Sequence, residues 1–114
     1  MNQNTAVIGK LWDALNRQDL EAARALLHPE VDWQDIINNG RRNGPGSVMD
    51  YWRQLFSVMR TETTVVENCS LGNGRIACSV HHLVRDPQGG IRTDEPLTHI
   101  FSFRDGLIIR MDAE

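Results

Sequence analysis

The chain lacks any run of eighteen or more apolar residues, so no segment of it is predicted to span a membrane. Its first residues, MNQNTAVIGK, lack the charged start and the long apolar core of a secretion signal, and we therefore expect a cytoplasmic protein. An excess of positive charge is also missing, because 15 acidic side chains outnumber 12 basic ones. This balance leaves no electrostatic footprint for nucleic acid or an anionic membrane, and it favours a small-molecule or protein partner.

Cysteine is scarce, and motifs for metal and nucleotide binding are missing. Cys69 and Cys78 have neither C-x-x-C nor zinc-type spacing, which predicts two free thiols. No predicted helix has a His/Glu ligand spacing, and the adjacent His81 and His82 diverge on a strand, so they cannot chelate one metal together. Residues 40–46 lack the Lys and Ser/Thr of a phosphate-binding loop. We expect neither a metal site nor a cofactor.

The chain has no internal repeat, low-complexity tract or linker, so residues 1–114 are predicted to form a single domain with a modest core. Its first half is predicted to contain three helices, with a short strand between the second and the third. The first helix has one apolar stripe, formed by Ile8, Leu11, Trp12 and Leu15. Pro29 is predicted to end the second helix, and residues 38–46 are predicted to form a Gly-rich loop before the third.

Alternating patterns and β-branched residues mark the second half of the chain. Turn motifs at residues 71–74, 86–90 and 104–106 divide it into four predicted strands, at about residues 61–70, 75–85, 91–103 and 107–112. Such short connections make neighbouring strands antiparallel. Each helix needs an apolar partner, so the helices are predicted to cover one face of a curved sheet and to enclose a pocket. Pro96 lacks a backbone donor, which predicts a bulge or a sheet edge there.

Asp35 stands among apolar neighbours in the first short strand. Side chains alternate between the two faces of a strand, which places Val31, Trp33, Asp35 and Ile37 on one face. A carboxylate held against apolar side chains is costly to keep charged without a partner, and general bases are built in this way. An alternative stays open, in which Asp35 lies at the strand end and caps the turn that begins at Asn38.

His82 and His99 are polar residues on the apolar faces of two predicted strands. By alternation they share those faces with residues that must point into the pocket. A second interpretation of His99 stays open, as a core histidine that is hydrogen-bonded to Asp35, Glu95 or Tyr51 and takes part in no reaction. His82 is expected to line the pocket.

Five features of the chain occur together: the order of its elements, the phrase LNRQDL at residues 15–20, the strand that ends in Asp35, the residues Arg42-Asn43-Gly44 before the third helix, and THIFSF at residues 98–103 followed by Asp105-Gly106. Together they resemble the ketosteroid isomerases and, more broadly, the SnoaL-like polyketide cyclases of the nuclear-transport-factor-2-like superfamily. The resemblance covers nearly the whole chain. It implies an α+β, cone-shaped fold, in which three helices of the N-terminal half pack on a curved, mostly antiparallel sheet that encloses a pocket.

The resemblance also implies roles for three positions. Asp35 falls on the general base of the isomerases, and His99 takes the place of the protonated aspartate in their oxyanion hole. Leu11 replaces the oxyanion-hole tyrosine. A carboxylate base opposite an imidazole is sufficient for proton abstraction next to a carbonyl group, with the imidazole donating to the developing enolate oxygen.

These roles favour a cofactor-independent isomerase or cyclase that acts on a small hydrophobic carbonyl compound by general acid–base proton transfer, with Asp35 and His99 as catalytic residues. The residues predicted to bind the substrate form the pocket walls: Trp12, Trp33, Tyr51, Trp52, Leu55, Val80, His82, Leu97, Phe101 and Met111. One alternative is a non-catalytic small-molecule-binding or dimerisation module of the same fold. A limonene-type epoxide hydrolase is the other.

The outward face of the predicted sheet is unusually apolar. It is expected to carry Val66, Leu83, Ile100 and Ile108. Such a patch is commonly buried against a copy of itself in a two-fold arrangement. The sequence therefore predicts a homodimer through the outer sheet face.

Overall fold

Three helices and one six-stranded sheet make up the computed structural model, which describes residues 3–114. The helices are α1 (Gln3–Asn16), α2 (Leu20–Arg24) and α3 (Pro45–Val58). The strands are β1 (Leu27–Asp35), β2 (Gly40–Asn43), β3 (Arg60–Gly72), β4 (Arg75–Arg85), β5 (Ile91–Arg104) and β6 (Leu107–Ala113). Their order in the sheet is β2-β1-β6-β5-β4-β3, and every pair is antiparallel except β1 with β6. The predicted α+β class is confirmed.

The helices contact the sheet through the apolar stripes that the sequence predicts. α1 packs against β3, and α3 packs against β1 and β2. All four residues of the α1 stripe are buried, because this side of the helix faces the core. Between residues 3 and 114, no helix is long and apolar enough to cross a lipid bilayer.

Two predicted boundaries around the first strand are wrong. α2 ends at Arg24 and β1 begins at Leu27, so Pro29 lies within a strand and does not end the helix. The strand tolerates this proline because its pairing with β6 is irregular between Leu27 and Asp32, where a backbone donor is not required. The predicted loop of residues 38–46 also contains β2, which pairs with β1.

An outward-facing ring of four charged side chains ties β1, β2 and β6 together. Arg41 Nε lies 2.7 Å from Asp32 Oδ1, and Arg41 Nη1 lies 2.8 Å from Asp112 Oδ1. Arg110 closes the ring with contacts of 3.0 Å to Asp32 and 2.8 Å to Asp112. These side chains lie on the face of the sheet opposite Trp33, so they do not contribute to the interior.

Pro96 lies in a part of β5 that has one neighbouring strand. It pairs with His81 of β4, whereas the register of β5 with β6 begins only at His99. The β4–β5 register is regular around Pro96. The predicted sheet edge is therefore confirmed, and there is no bulge at this position.

Ile108 is fully buried in the core, so its predicted position on the outward face is wrong. The register of β5 with β6 shifts between Ser102 and Phe103, which breaks the simple alternation beside Ile108. Its amide donates a 2.9 Å hydrogen bond to the Leu26 carbonyl, which fixes it next to β1. Val66 remains outward-facing, with 70% of its surface exposed.

One face of the sheet presents polar and apolar residues in rows that cross the strands. Glu95, Leu97 and His99 share this face along β5. His82 lies directly opposite Glu95 on β4, and Thr63 lies opposite His82 on β3. Paired residues in register point to the same side of a sheet. A polar row, Thr63–His82–Glu95, therefore lies on the same face as His99, with Leu97 between them.

Candidate functional site

A cavity of about 250 Å³ lies between α1, α3 and this face of the sheet. It is at the small end for ligand pockets, which commonly measure about 300–1,000 Å³. His99 lines the cavity, as do eight of the ten residues predicted to bind substrate: Trp12, Trp33, Tyr51, Trp52, Leu55, His82, Leu97 and Met111. Val80 and Phe101 do not line it, because both are buried in the core.

The cavity has further lining residues that the sequence analysis did not select. They are Leu15, Ile36, Ile37, Phe56, Met59, Thr61, Val84, Thr93 and Glu95. Alternation along β5 could have predicted that Thr93 and Glu95 line the cavity, since both lie on the same face of the strand as His99. Glu95 matters most for electrostatics, because it is the one charged side chain among the described residues that line the cavity.

His99 is buried against the cavity without a hydrogen bond. Only 5% of its surface is exposed, and neither ring nitrogen has a partner among residues 3–114. Its ring centroid lies 5.1 Å from that of Trp12 and 6.2 Å from that of Phe101. Burial, with a smaller contribution from the nearby His82, lowers the pKa of His99 to about 4. At neutral pH the ring is therefore an uncharged imidazole, and the alternative of a hydrogen-bonded core histidine is not what is observed.

His82 is held in place by a chain of contacts that begins on α1. Its Nδ1 lies 2.8 Å from the Thr63 hydroxyl. The backbone of Thr63 is in turn fixed by Asn16, which accepts from the amide and donates to the carbonyl at 2.8 Å each. Burial lowers the pKa of His82, and the Glu95 carboxylate opposes that shift. The cavity thus holds two imidazoles, both of which burial disposes to be neutral.

Asp35 is buried, with 3% of its surface exposed, but it does not line the cavity. Its carboxylate accepts hydrogen bonds of 2.8 Å from the Asn38 amide, the Asn38 side chain and Arg42 Nε. Burial opposes ionisation of this carboxyl, but the bonds from Asn38 and Arg42 outweigh burial and hold its pKa below the usual range. These contacts are those of the turn-capping alternative.

Tyr51 lies in the cavity wall, close enough to Asp35 for the charge of that carboxylate to affect its pKa. It is buried and lines the cavity. Burial raises its pKa, the Ile36 amide opposes that shift, and the charge of Asp35 adds to it. The phenol is therefore protonated at neutral pH. Leu11, in the place of the family tyrosine, is fully buried and does not line the cavity.

The apolar walls are dominated by indole rings. Trp33 and Trp52 meet edge to face, with centroids 5.3 Å apart at 86°. Both residues line the cavity, so this part of its wall is aromatic and suits an apolar ligand. No group of three or more His, Cys, Asp or Glu side chains within the described residues could hold a metal ion.

The sequence profile of a SnoaL-like domain matches residues 8–111 of the chain. No curated protein matches the chain. Among solved structures, a putative polyketide cyclase from Sinorhizobium meliloti has 17% identity and a TM-score of 0.83, with 100% of both chains covered.

Two Mycobacterium tuberculosis structures share the fold as well. One was determined in complex with estradiol-17beta-hemisuccinate, at 17% identity and a TM-score of 0.86, covering 99% of this chain and 93% of that one. The other is an LEH-like epoxide hydrolase, at 13% identity and a TM-score of 0.82, covering 97% and 80%. At such identities the likeness establishes the fold alone.

Proposed function

This chain belongs to the SnoaL-like family and has its nuclear-transport-factor-2-like fold, and from that premise we propose a cofactor-independent isomerase or cyclase that moves protons on a small hydrophobic carbonyl compound. The observation that carries the proposal is His99, a buried imidazole with two unpartnered nitrogens beside an apolar cavity. Leaving a buried polar group without a hydrogen bond costs about 1–3 kcal/mol. A ligand oxygen that bonds to the ring recovers that cost.

In the proposed reaction His99 is the hydrogen-bond donor to the carbonyl oxygen. A neutral imidazole carries one N–H, and this donor stabilises negative charge as it develops on an enolate oxygen. The apolar walls strengthen the interaction, because electrostatic attraction grows as the local dielectric constant falls. A pKa of about 4 keeps the ring neutral throughout the physiological range.

We propose His82 as the group that accepts the substrate proton. It lines the same cavity, and its ring is close enough to His99 for its charge to contribute to the lowered pKa of that ring. It is oriented by the 2.8 Å contact with Thr63, and its own lowered pKa favours the unprotonated form. Asp35 was the base implied by the family resemblance. Because its carboxylate accepts three hydrogen bonds and lies outside the cavity lining, we instead assign Asp35 a positioning role at the turn between β1 and β2.

Deuterium uptake from heavy water into 2-acetylnaphthalene tests the proposed proton transfer. We expect the protein to accelerate exchange of the methyl protons, and His82→Gln to reduce that rate by about 10²–10⁴-fold, because the proton acceptor is lost. His81→Gln is the matched control, since His81 is the adjacent histidine, lies on the other face of the sheet and pairs with Asp94. An undiminished rate in His82→Gln would exclude His82 as the acceptor, and the absence of exchange by the wild type would argue against carbon-acid chemistry on such ketones.

A non-catalytic binding module is the second candidate, and one observation favours it. Leu11 stands where the resemblance places a catalytic tyrosine, and its side chain offers no hydroxyl to the cavity. Tight binding of hydrophobic ketones without any deuterium uptake would support this candidate. Epoxide hydrolysis is disfavoured, because the Arg–Asp ring of Asp32, Arg41, Arg110 and Asp112 lies outside the cavity lining.

We also propose that two copies of the chain associate through the outer face of the sheet. Val66 is exposed there, and Leu83 and Ile100 are only partly buried. Gel filtration with light scattering is expected to give twice the 12.9 kDa mass of one chain. Val66→Glu should shift the protein toward the monomer, whereas the exposed Leu71→Glu near the end of β3 should not. A wild-type mass of one chain would contradict the dimer.

A further inference from the structure

Glu95 is a charged residue at the solvent-exposed end of the cavity lining, and the proposed chemistry does not use it. Within residues 3–114 it forms no ion pair or hydrogen bond, although its charge reaches His82 opposite it. The arginines closest to its position along β4 and β5, Arg85 and Arg92, do not pair with it. Arg85 binds Glu62 at 2.9 Å, and Arg92 has the opposite parity on β5 and so points to the other face of the sheet.

The spacing between Glu95 and His99 sets the length of a ligand that could reach both. They are four residues apart on one strand and share a face, which separates their Cα atoms by about 13 Å at the usual rise of a strand. Leu97 lies between them on that face and lines the cavity as well. The cavity is therefore polar at two ends and apolar in the middle.

The volume and the walls restrict what occupies the middle. A volume of about 250 Å³, with three tryptophans among the lining residues, suits an aromatic body of one or two rings and leaves little space for a larger one. At the His99 end a neutral imidazole meets a carbonyl oxygen. At the Glu95 end a carboxylate without a cation attracts an ammonium group, repels an anion, and gains more from a charged donor than from a hydroxyl.

We propose that the cavity takes an elongated aromatic amino ketone, whose carbonyl oxygen meets His99 and whose ammonium group binds Glu95. This inference rests on the proposed function, because it assumes that His99 holds the carbonyl of the substrate. Beyond that function, Glu95 specifies a second contact with the ligand, the positive charge of the ligand and the distance between its two polar groups. Glu95 is then the residue that selects cationic substrates over neutral and anionic ones of the same shape.

Three naphthalene probes test the preference for a cation. Each carries an acetyl group at position 2, and position 6 carries an aminomethyl, a hydroxymethyl or a carboxylate group. Isothermal titration calorimetry at pH 7 is expected to show the aminomethyl probe binding about three- to fivefold tighter than the hydroxymethyl probe, because the ion pair with Glu95 is exposed, with the carboxylate weakest. Glu95→Gln should abolish the difference between the first two probes and leave the affinity of the hydroxymethyl probe within about twofold.

Asp94→Asn is the matched control. It removes one negative charge from the adjacent residue, which pairs with His81 on the other face of the sheet, so the preference for the amine should survive. Equal loss in both variants would overturn the inference, because net charge alone would then explain it. Equal affinity of the wild type for the amine and alcohol probes would overturn it too, while leaving the proposed function standing. Binding of none of the three probes would contradict both.

Discussion

Replacing His99 by phenylalanine is expected to raise the free energy of unfolding at pH 7 by about 1–3 kcal/mol and to abolish deuterium exchange. The wild-type ring is buried with both nitrogens unpartnered, and its neighbours are aromatic. Phenylalanine has a similar flat shape and has no polar atom to desolvate. Urea denaturation measures the change in stability. A gain in stability together with a loss of activity is the pattern of a residue retained for function at the expense of folding.

The same variant should also change how stability depends on pH. The folded pKa of His99, about 4, lies below its ordinary value of about 6.5, so the unfolded chain binds more protons between these values. The wild type therefore has its full stability above about pH 6.5 and loses stability as the pH falls toward 4, because the unfolded chain takes up a proton that the buried ring does not. Between pH 6.5 and 5 we expect the wild type to lose about 2 kcal/mol more than His99→Phe.

A suitable control for His99→Phe is His81→Gln, since the His81 side chain is about half exposed. Its effect on unfolding at pH 7 should stay within about 0.5 kcal/mol. If His99→Phe is less stable than the wild type, and its stability changes with pH as that of the wild type does, then the wild-type ring is charged or hydrogen-bonded in solution. The interpretation of His99 as an unsatisfied polar group of the cavity would then fail.

Asp35→Asn is expected to lower the free energy of unfolding at pH 7 by about 2–3 kcal/mol. The change leaves Arg42, whose side chain is 27% exposed, without its carboxylate, and weakens the bonds from Asn38. Because the folded pKa of Asp35 is lowered, its contribution is complete above its ordinary value of about 3.9 and is lost as the pH falls from there through the lowered folded value. Thermal or urea denaturation at pH 7 and at about pH 2 should show the larger difference at pH 7.

Asp13→Asn provides the comparison for Asp35→Asn. Asp13 pairs with Arg17 one helical turn away and is exposed, so its loss should cost no more than about 0.5 kcal/mol. If Asp35→Asn instead keeps its stability and loses all deuterium exchange, Asp35 is the catalytic base that the family resemblance implies.

The sequence was sufficient to predict that Asp35 and His99 are buried, because alternation along a strand decides which face a side chain joins. It was not sufficient to find the partner of Asp35. β2 has the sequence GRRN, which contains neither an apolar alternation nor a β-branched residue. The strand is held by the ion pair of Arg42 with Asp35 across the hairpin and by that of Arg41 with Asp112, which is 71 residues away and is brought close only by the fold.

The sequence also could not predict which residues of the inner sheet face line the cavity and which are buried in the core. Val80 and Phe101 share their faces with cavity residues, but they lie in the core, since a period of two gives the side of a sheet and not the distance from the cavity. Ile108 was misplaced because the register of β6 with β5 skips Ile109, and this extra residue changes the parity within β6. Glu95 had the correct parity, and its importance emerged only when the structure left it without a cation.

Proton exchange is expected to depend on the hydrogen bond that His99 gives to the carbonyl oxygen and not on Asp35, and deuterium uptake into 2-acetylnaphthalene by His99→Phe and Asp35→Asn tests this most directly. Both proteins are measured at a temperature where each is folded, beside the wild type. We predict that His99→Phe loses the exchange while Asp35→Asn retains it within about tenfold. The reverse result, with exchange lost in Asp35→Asn and kept in His99→Phe, would contradict the account and return the role of base to Asp35.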